Sequence, residues 1–177
     1  SFRDIYSNKN KKIIVLRKGG LDKGWKNTIF DPKKGENQCS GHEFIDLIND
    51  TDGFNDKEDK SVKRDVNKLI NKHYEFYAYR EFSNSIDKLI KHCNNEEQER
   101  EKINELFSNR LLIVDEYHNL RDTDVVGEDK VKLTDKVKLT EKEDKKKALK
   151  NLLKIIEYSD NLRLILLTAT PMFNYSD

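Results

Sequence analysis

Leu111 to Val114 are four consecutive apolar residues; Asp115 and Glu116 follow them directly, with His118 close behind. Carboxylates are among the groups costliest to strip of water, so an apolar run that ends in two of them sets them at a lip rather than in a core. At such a lip one carboxylate can hold a magnesium ion through bound water while the ion bridges the phosphates of a nucleotide. A neighbouring carboxylate can then orient and deprotonate an attacking water. Asp115 and Glu116 are the candidates for these two roles, and His118 would lie just beyond the metal, in reach of the loop of another strand. Further on, a second apolar run, Leu164 to Leu167, ends in Thr168, Ala169, Thr170 and Pro171, which offers two hydroxyls at a second strand end.

Elements must bring these groups together. The runs IIVL (13–16), YEFYAY (74–79), LLIVD (111–115) and LRLILLT (162–168) are short, branched and turn-bounded, and read as strands. Helical patterns lie between them, which is the alternation of an α/β parallel sheet covered on both faces. In such a sheet ligands bind outside the carboxyl ends of the strands. Ser40 and Glu43 have capping-box spacing ahead of Phe44, Leu47 and Ile48. Thr140 and Glu143 repeat that spacing before a stripe of Leu149, Leu152, Leu153 and Ile156, and Ser83 is placed to cap a third helix carrying Ile86, Leu89 and Ile90. Two polar stretches, 50–68 and 122–147, read as insertions. The second contains a tandem DKVKLT at 129–134 and 135–140, which has the alternation of a small hairpin but reads better as a duplicated, tolerant loop.

Composition bounds what such a site can belong to. The chain has 177 residues, 35% of them hydrophobic, enough for one core and hardly two, so one domain or a piece of one is expected. Because the chain opens on Ser1 and stops soon after the last strand, a fragment is expected. The formal net charge is +1, so any contact with nucleic acid must come from local patches. Cys39 and Cys93 lack the spacing of a zinc site or a disulfide framework, which fits a reducing compartment. No apolar run approaches the roughly 20 residues that span a bilayer, and the start has no signal-like stretch. A soluble intracellular protein, neither secreted nor membrane-bound, is expected.

The letters DEYH at 115–118 resemble the DExH box of superfamily 2 helicases and related nucleic-acid-dependent ATPases. LILLTATPMFN resembles motif III of that superfamily, and the two motifs stand in the proper order, each at the end of an apolar strand. KKIIVLRKGGLDKGWKNTIF resembles motif Ia and its surroundings, and HYEFYAYREFSNSI the strand and turn that follow. Their succession is most similar to the helicase-like ATPases of large nucleocytoplasmic DNA viruses, a group that includes the poxvirus nucleoside triphosphate phosphohydrolase and the small subunit of the early transcription factor.

That resemblance implies a RecA-like fold, with residues 1–177 forming a partial amino-terminal helicase domain from motif Ia to motif III. It implies that Leu164 to Thr168 pairs in parallel with Leu111 to Asp115 and leaves its outer side open. The catalytic residues would be Glu116, Asp115 and His118, with Asp115 holding Mg2+ through water. Thr168, Ala169 and Thr170 would couple ATP, or another NTP, to strand grip, and Arg17 and Lys18 would contact the nucleic-acid backbone. The implied partners are nucleic acid (DNA rather than RNA), a second RecA-like domain of the same chain, and viral transcription machinery. The implied location is the host cytoplasm, in a viral factory, or the virion. The alternative is a non-catalytic RecA-like scaffold in a viral transcription complex.

One departure limits what the fragment would do alone. Gly19 and Gly24 have the spacing of a phosphate loop, but Trp25 stands where lysine is required and Asn27 follows Lys26 where a hydroxyl is needed. GGLDKGWKN therefore reads as the loop after motif Ia, with its glycines as a turn. The phosphate loop and its strand are expected upstream, and the isolated fragment is expected to be inactive.

Overall fold

The computed structural model describes residues 11–31, 34, 42–49, 60–120 and 133–169. Within them the four apolar runs form strands β1 (Ile13–Arg17), β2 (Tyr74–Ala78), β3 (Leu111–Val114) and β4 (Arg163–Leu166). They make one sheet in the order β2-β1-β3-β4, and every neighbouring pair is parallel. Ile13 lies beside Tyr74, Leu16 beside Val114, and Val114 beside Leu166. β4 is thus the strand next to the acidic one and forms an edge of the sheet, as the motifs imply.

Successive strand residues point to opposite faces, and here both faces are apolar. Ile14, Leu16, Leu112 and Val114 pack on one side against Phe82, Ile86, Ile103, Phe107, Leu152 and Ile155. These come from helices α4 (Tyr79–Ile90), α5 (Glu96–Phe107) and α6 (Leu133–Tyr158). On the other side Ile13, Val15 and Leu111 meet Trp25, Tyr74 and Phe76. Beyond those, Phe30, Phe44, Val62, Val66 and Ile70 form a second apolar group, associated with α1 (Asp22–Ile29), α2 (His42–Asn49) and α3 (Lys60–His73). Each fully buried side chain of this kind contributes about 1.5–3 kcal/mol, and the three-layer α/β arrangement follows from having two such faces to cover.

Several helices differ from what sequence patterns suggest. α4 begins at Tyr79, because Glu81 Oε2 accepts the Ala78 N–H at 3.0 Å. Ser83 therefore sits inside the helix, buried, with its Oγ accepting the Asn151 amide at 3.1 Å. α6 starts at Leu133, so Thr140 lies within the helix rather than at its amino end. Its buried stripe is Ala148, Asn151, Leu152, Ile155 and Tyr158, while Leu153 and Ile156 are 56% and 40% exposed. The rotation follows from anchorage: Asn151 also bonds Asp87 Oδ1 at 3.0 Å, and the Tyr158 hydroxyl bonds Glu96 at 2.9 Å.

Both polar stretches contain helix. Residues 60–68 belong to α3, whose Val62, Val66 and Ile70 recur every fourth position and are buried. Residues 133–147, including the second DKVKLT, belong to α6; 50–59 and 121–132 lie outside the described residues. The stretch after β1 is likewise mostly helix α1, leaving Lys18 to Leu21 as the turn, with Gly20 at φ 84°. Cys93 is a free thiol, and Cys39 lies outside the described residues.

The amino ends of β3 and β4 are joined by two matching turns. Asn109 and Asn161 both adopt left-handed backbone, at φ 57° and 52°. The Asn161 amide donates to Asn109 Oδ1 at 2.9 Å, and the Asn109 N–H donates to the Asp160 carbonyl, also at 2.9 Å. Asparagine tolerates this conformation better than most residues because its short side chain can bond locally.

Candidate active site at the carboxyl ends of the strands

β3 delivers Asp115 to the end of the sheet while keeping it tied to β1, since the Asp115 N–H donates to the Leu16 carbonyl at 2.8 Å. Glu116 follows with φ 54°, a conformation that costs a non-glycine residue on the order of 1–3 kcal/mol and that must be held by its surroundings. The Tyr79 hydroxyl donates to the Asp115 carbonyl and reaches the Glu116 carbonyl at 3.3 Å. The Glu116 carbonyl also accepts the Asn119 N–H at 2.9 Å and its side-chain amide at 3.1 Å. A short 3-10 turn, Tyr117–Leu120, then closes on buried Leu120.

β4 fastens the other side. Leu167 donates to the Val114 carbonyl at 2.8 Å, and Tyr117 donates to the Leu167 carbonyl at 3.0 Å. This brings Thr168 next to the acidic turn, where His118 Nδ1 lies 2.9 Å from Thr168 Oγ1 and 3.1 Å from Glu116 Oε2. With Nδ1 protonated, His118 donates to the Glu116 carboxylate, which can only accept, and to the Thr168 hydroxyl. Glu116, His118 and Thr168 therefore form one polar row across two strand ends. Glu116 and His118 keep 31% and 35% of their side chains exposed, so this row is open to solvent. Ala169 is exposed beside it, and Thr170 lies outside the described residues.

Two aromatic residues that the sequence patterns did not single out for the site complete it. Trp25, from α1, donates its Nε1–H to Asp115 Oδ2 at 2.8 Å. Tyr79, at the start of α4, is buried, and that burial together with the charges of Asp115 and Glu116 raises its pKa far above the usual phenol value. The shift favours the protonated phenol, which is the form these hydrogen bonds require. The only advance signal for either was position: a lone tryptophan soon after one strand end and a tyrosine closing another.

Arg17 and Lys18, grouped in the sequence as backbone contacts, part company. Arg17 is 5% exposed and its guanidinium pairs with Asp22, so it ties β1 to the first turn of α1. Lys18 is exposed and lines a cavity of about 380 Å³ with Arg80, Asn119 and Lys145. Asp144 pairs with Arg80 at 3.4 Å on the same rim. A larger cavity of about 460 Å³, bordered by Arg100, Asn104 and Asp160, lies at the opposite end of β4, away from the acids.

Among the described residues no three His, Cys, Asp or Glu side chains gather as a metal cage. Magnesium bound with a nucleotide needs no cage: one or two carboxylates suffice, the remaining ligands being waters and phosphates. The half-buried Asp115 carboxylate at a strand end fits that requirement. Among the described residues no helix is long and apolar enough to cross a membrane.

A family model described as the type III restriction enzyme, res subunit, matches residues 3–173. The chain belongs to this family. Its res-subunit-type domain is RecA-like and helicase-like, in accord with the parallel sheet and its two helical layers. An Acanthamoeba polyphaga mimivirus protein, whose name describes it as an ATP-dependent RNA helicase, is 28% identical over 197 residues, covering 99% of this chain. The match takes up 14% of that relative's length. No solved structure gives a significant match.

Proposed function

We propose that this res-subunit-type domain supplies the acidic half of an NTP-hydrolysing site in a motor that moves along nucleic acid. The observation that carries the reading is the row at the strand ends: Asp115 and Glu116 leave β3 as a pinned, solvent-open turn, and His118 joins Glu116 to Thr168 just past the neighbouring strand. Magnesium bound with the triphosphate would neutralise charge developing on the transferred phosphoryl group. Asp115 would hold that ion through water. Glu116 would orient the attacking water and take its proton, with His118 steadying the carboxylate. Thr168, Ala169 and Thr170 would pass the state of the site to the strand-gripping surface.

The cavity beside Lys18 and Arg80 suits the nucleic-acid backbone, because it lies at the carboxyl ends of β1 and β2 and presents Lys18, Arg80 and Lys145. Phosphate contacts of this kind carry affinity without reading sequence, so they serve DNA and RNA alike; the mimivirus relative is named for RNA. A phosphate loop and a second RecA-like domain would come from elsewhere in the protein. A viral transcription complex is the setting to which the motif resemblance points. A scaffold reading would leave the paired acids and their supporting bonds without a task.

The test is NTP hydrolysis by the intact protein, with and without single-stranded DNA or RNA. Glu116→Gln should lower turnover by about 10²–10⁴-fold, the usual range for a lost general base, while leaving nucleotide binding in place. Turnover that survives the substitution would remove Glu116 from the chemistry, and absence of turnover in the intact wild-type protein would overturn the hydrolase reading.

A further inference from the structure

Trp25 is the chain's one tryptophan. Its ring packs against the face of the sheet formed by Ile13, Val15 and Leu111, and packing alone would account for its presence there. The polar end of the ring does something packing does not require. An indole N–H only donates, and this one is spent on Asp115 Oδ2, at 2.8 Å. The backbone on either side of that carboxylate is already fixed, by Leu16 at the Asp115 N–H and by Tyr79 at its carbonyl. With Oδ2 held by the indole, rotation of the carboxylate is restrained and Oδ1 is the oxygen that the indole leaves for a metal-bound water.

The helix that carries Trp25 is itself anchored. Asp22, in its first turn, pairs with buried Arg17 at the end of β1, and the Lys18 to Leu21 turn lies between them. A short covalent and hydrogen-bonded path thus runs from exposed Lys18 through α1 to the acid on β3.

We propose that Trp25 is a positioning residue for Asp115, its indole N–H fixing the carboxylate for a magnesium-nucleotide complex and α1 joining that carboxylate to the Lys18 turn. This rests on the hydrolase reading above. Groups that orient a metal-binding side chain typically contribute about 10–100-fold in metal affinity or activity, and a neutral donor to an acid that binds through water belongs at the low end.

The experiment uses the intact protein with Mn2+ as probe. Free Mn2+ is followed by electron paramagnetic resonance in the presence of a non-hydrolysable ATP analogue, and binding of the analogue without metal is measured separately. Trp25→Phe keeps an aromatic ring and removes the N–H. It should weaken Mn2+ binding to the protein-analogue complex by about tenfold and leave metal-free analogue binding unchanged. Unchanged Mn2+ affinity overturns the proposal, and so does an equal loss with and without metal, because that is the signature of general disruption. If the phenylalanine variant does not fold, benzothienylalanine at position 25 preserves the bicyclic shape without the donor and is judged by the same two outcomes. Failure of the underlying reading looks different: the wild-type protein would then bind no Mn2+ with the analogue and hydrolyse no NTP.

Discussion

Glu116 illustrates how a residue at a strand end is held against the preference of its own backbone. Its left-handed conformation is held from outside, by Tyr79 and Asn119, which both donate to its carbonyl. Tyr79 is the member of this set that can be deleted most cleanly, since phenylalanine keeps the ring. Tyr79→Phe should lower unfolding free energy by about 1 kcal/mol, the usual net value of one hydrogen bond, seen as a lower urea midpoint with an unchanged slope. An unaltered midpoint would mean that the hydroxyl holds nothing. At this scale the acids and Thr168 were legible in the sequence, because polar residues after an apolar run can only be at a strand end. Trp25 and Tyr79 were not, because what matters in them is a hydrogen bond to a residue dozens of positions away. Arg17 and Lys18 look alike in the sequence, yet Arg17 lies inside β1's pairing with Asp22 while Lys18 faces water.

Among the elements, strands were easier to read than helices. Four apolar runs on a polar background leave little choice, whereas α3 and α5 bury only a few side chains each in otherwise charged sequence: Val62, Val66 and Ile70 in one, Ile103 and Phe107 in the other. The register of α6 was misread for a different reason. Leu153 and Ile156 look like core, but the helix is turned by polar contacts, with buried Asn151 reaching Ser83 and Asp87, and Lys147 also pairing with Asp87. Burial by itself would raise the Asp87 pKa, but the bonds from Lys147 and Asn151 outweigh it and hold the carboxyl below its usual range. Because the folded pKa is the lower one, the unfolded chain takes up the proton first on acidification. The pair's contribution is therefore full above the ordinary carboxylate range and is lost as pH falls through the folded pKa. Asp87→Asn should flatten the fall in urea midpoint between about pH 6 and pH 3. An unchanged profile would show that the α4–α6 contact does not depend on this charge.

For the molecule as a whole, helices cover much of both faces of the sheet, while β4 stays largely exposed. Among the described residues β4 pairs only with β3, and Leu164 and Leu166 remain 36% and 45% exposed. An unpaired strand of this kind is a template for further pairing. The isolated 177-residue chain should self-associate as its concentration rises, and Leu166→Lys should suppress this in sedimentation velocity; a monodisperse wild-type chain would refute it. The sheet's other extremity behaves differently. Where β3 and β4 enter the sheet, the paired asparagines latch one turn to the other. The β3–β4 pair is thus tied at both ends, at the entry by this latch and at the tips by the Leu167 and Tyr117 backbone bonds, and the spacing of Thr168 from His118 depends on the second tie.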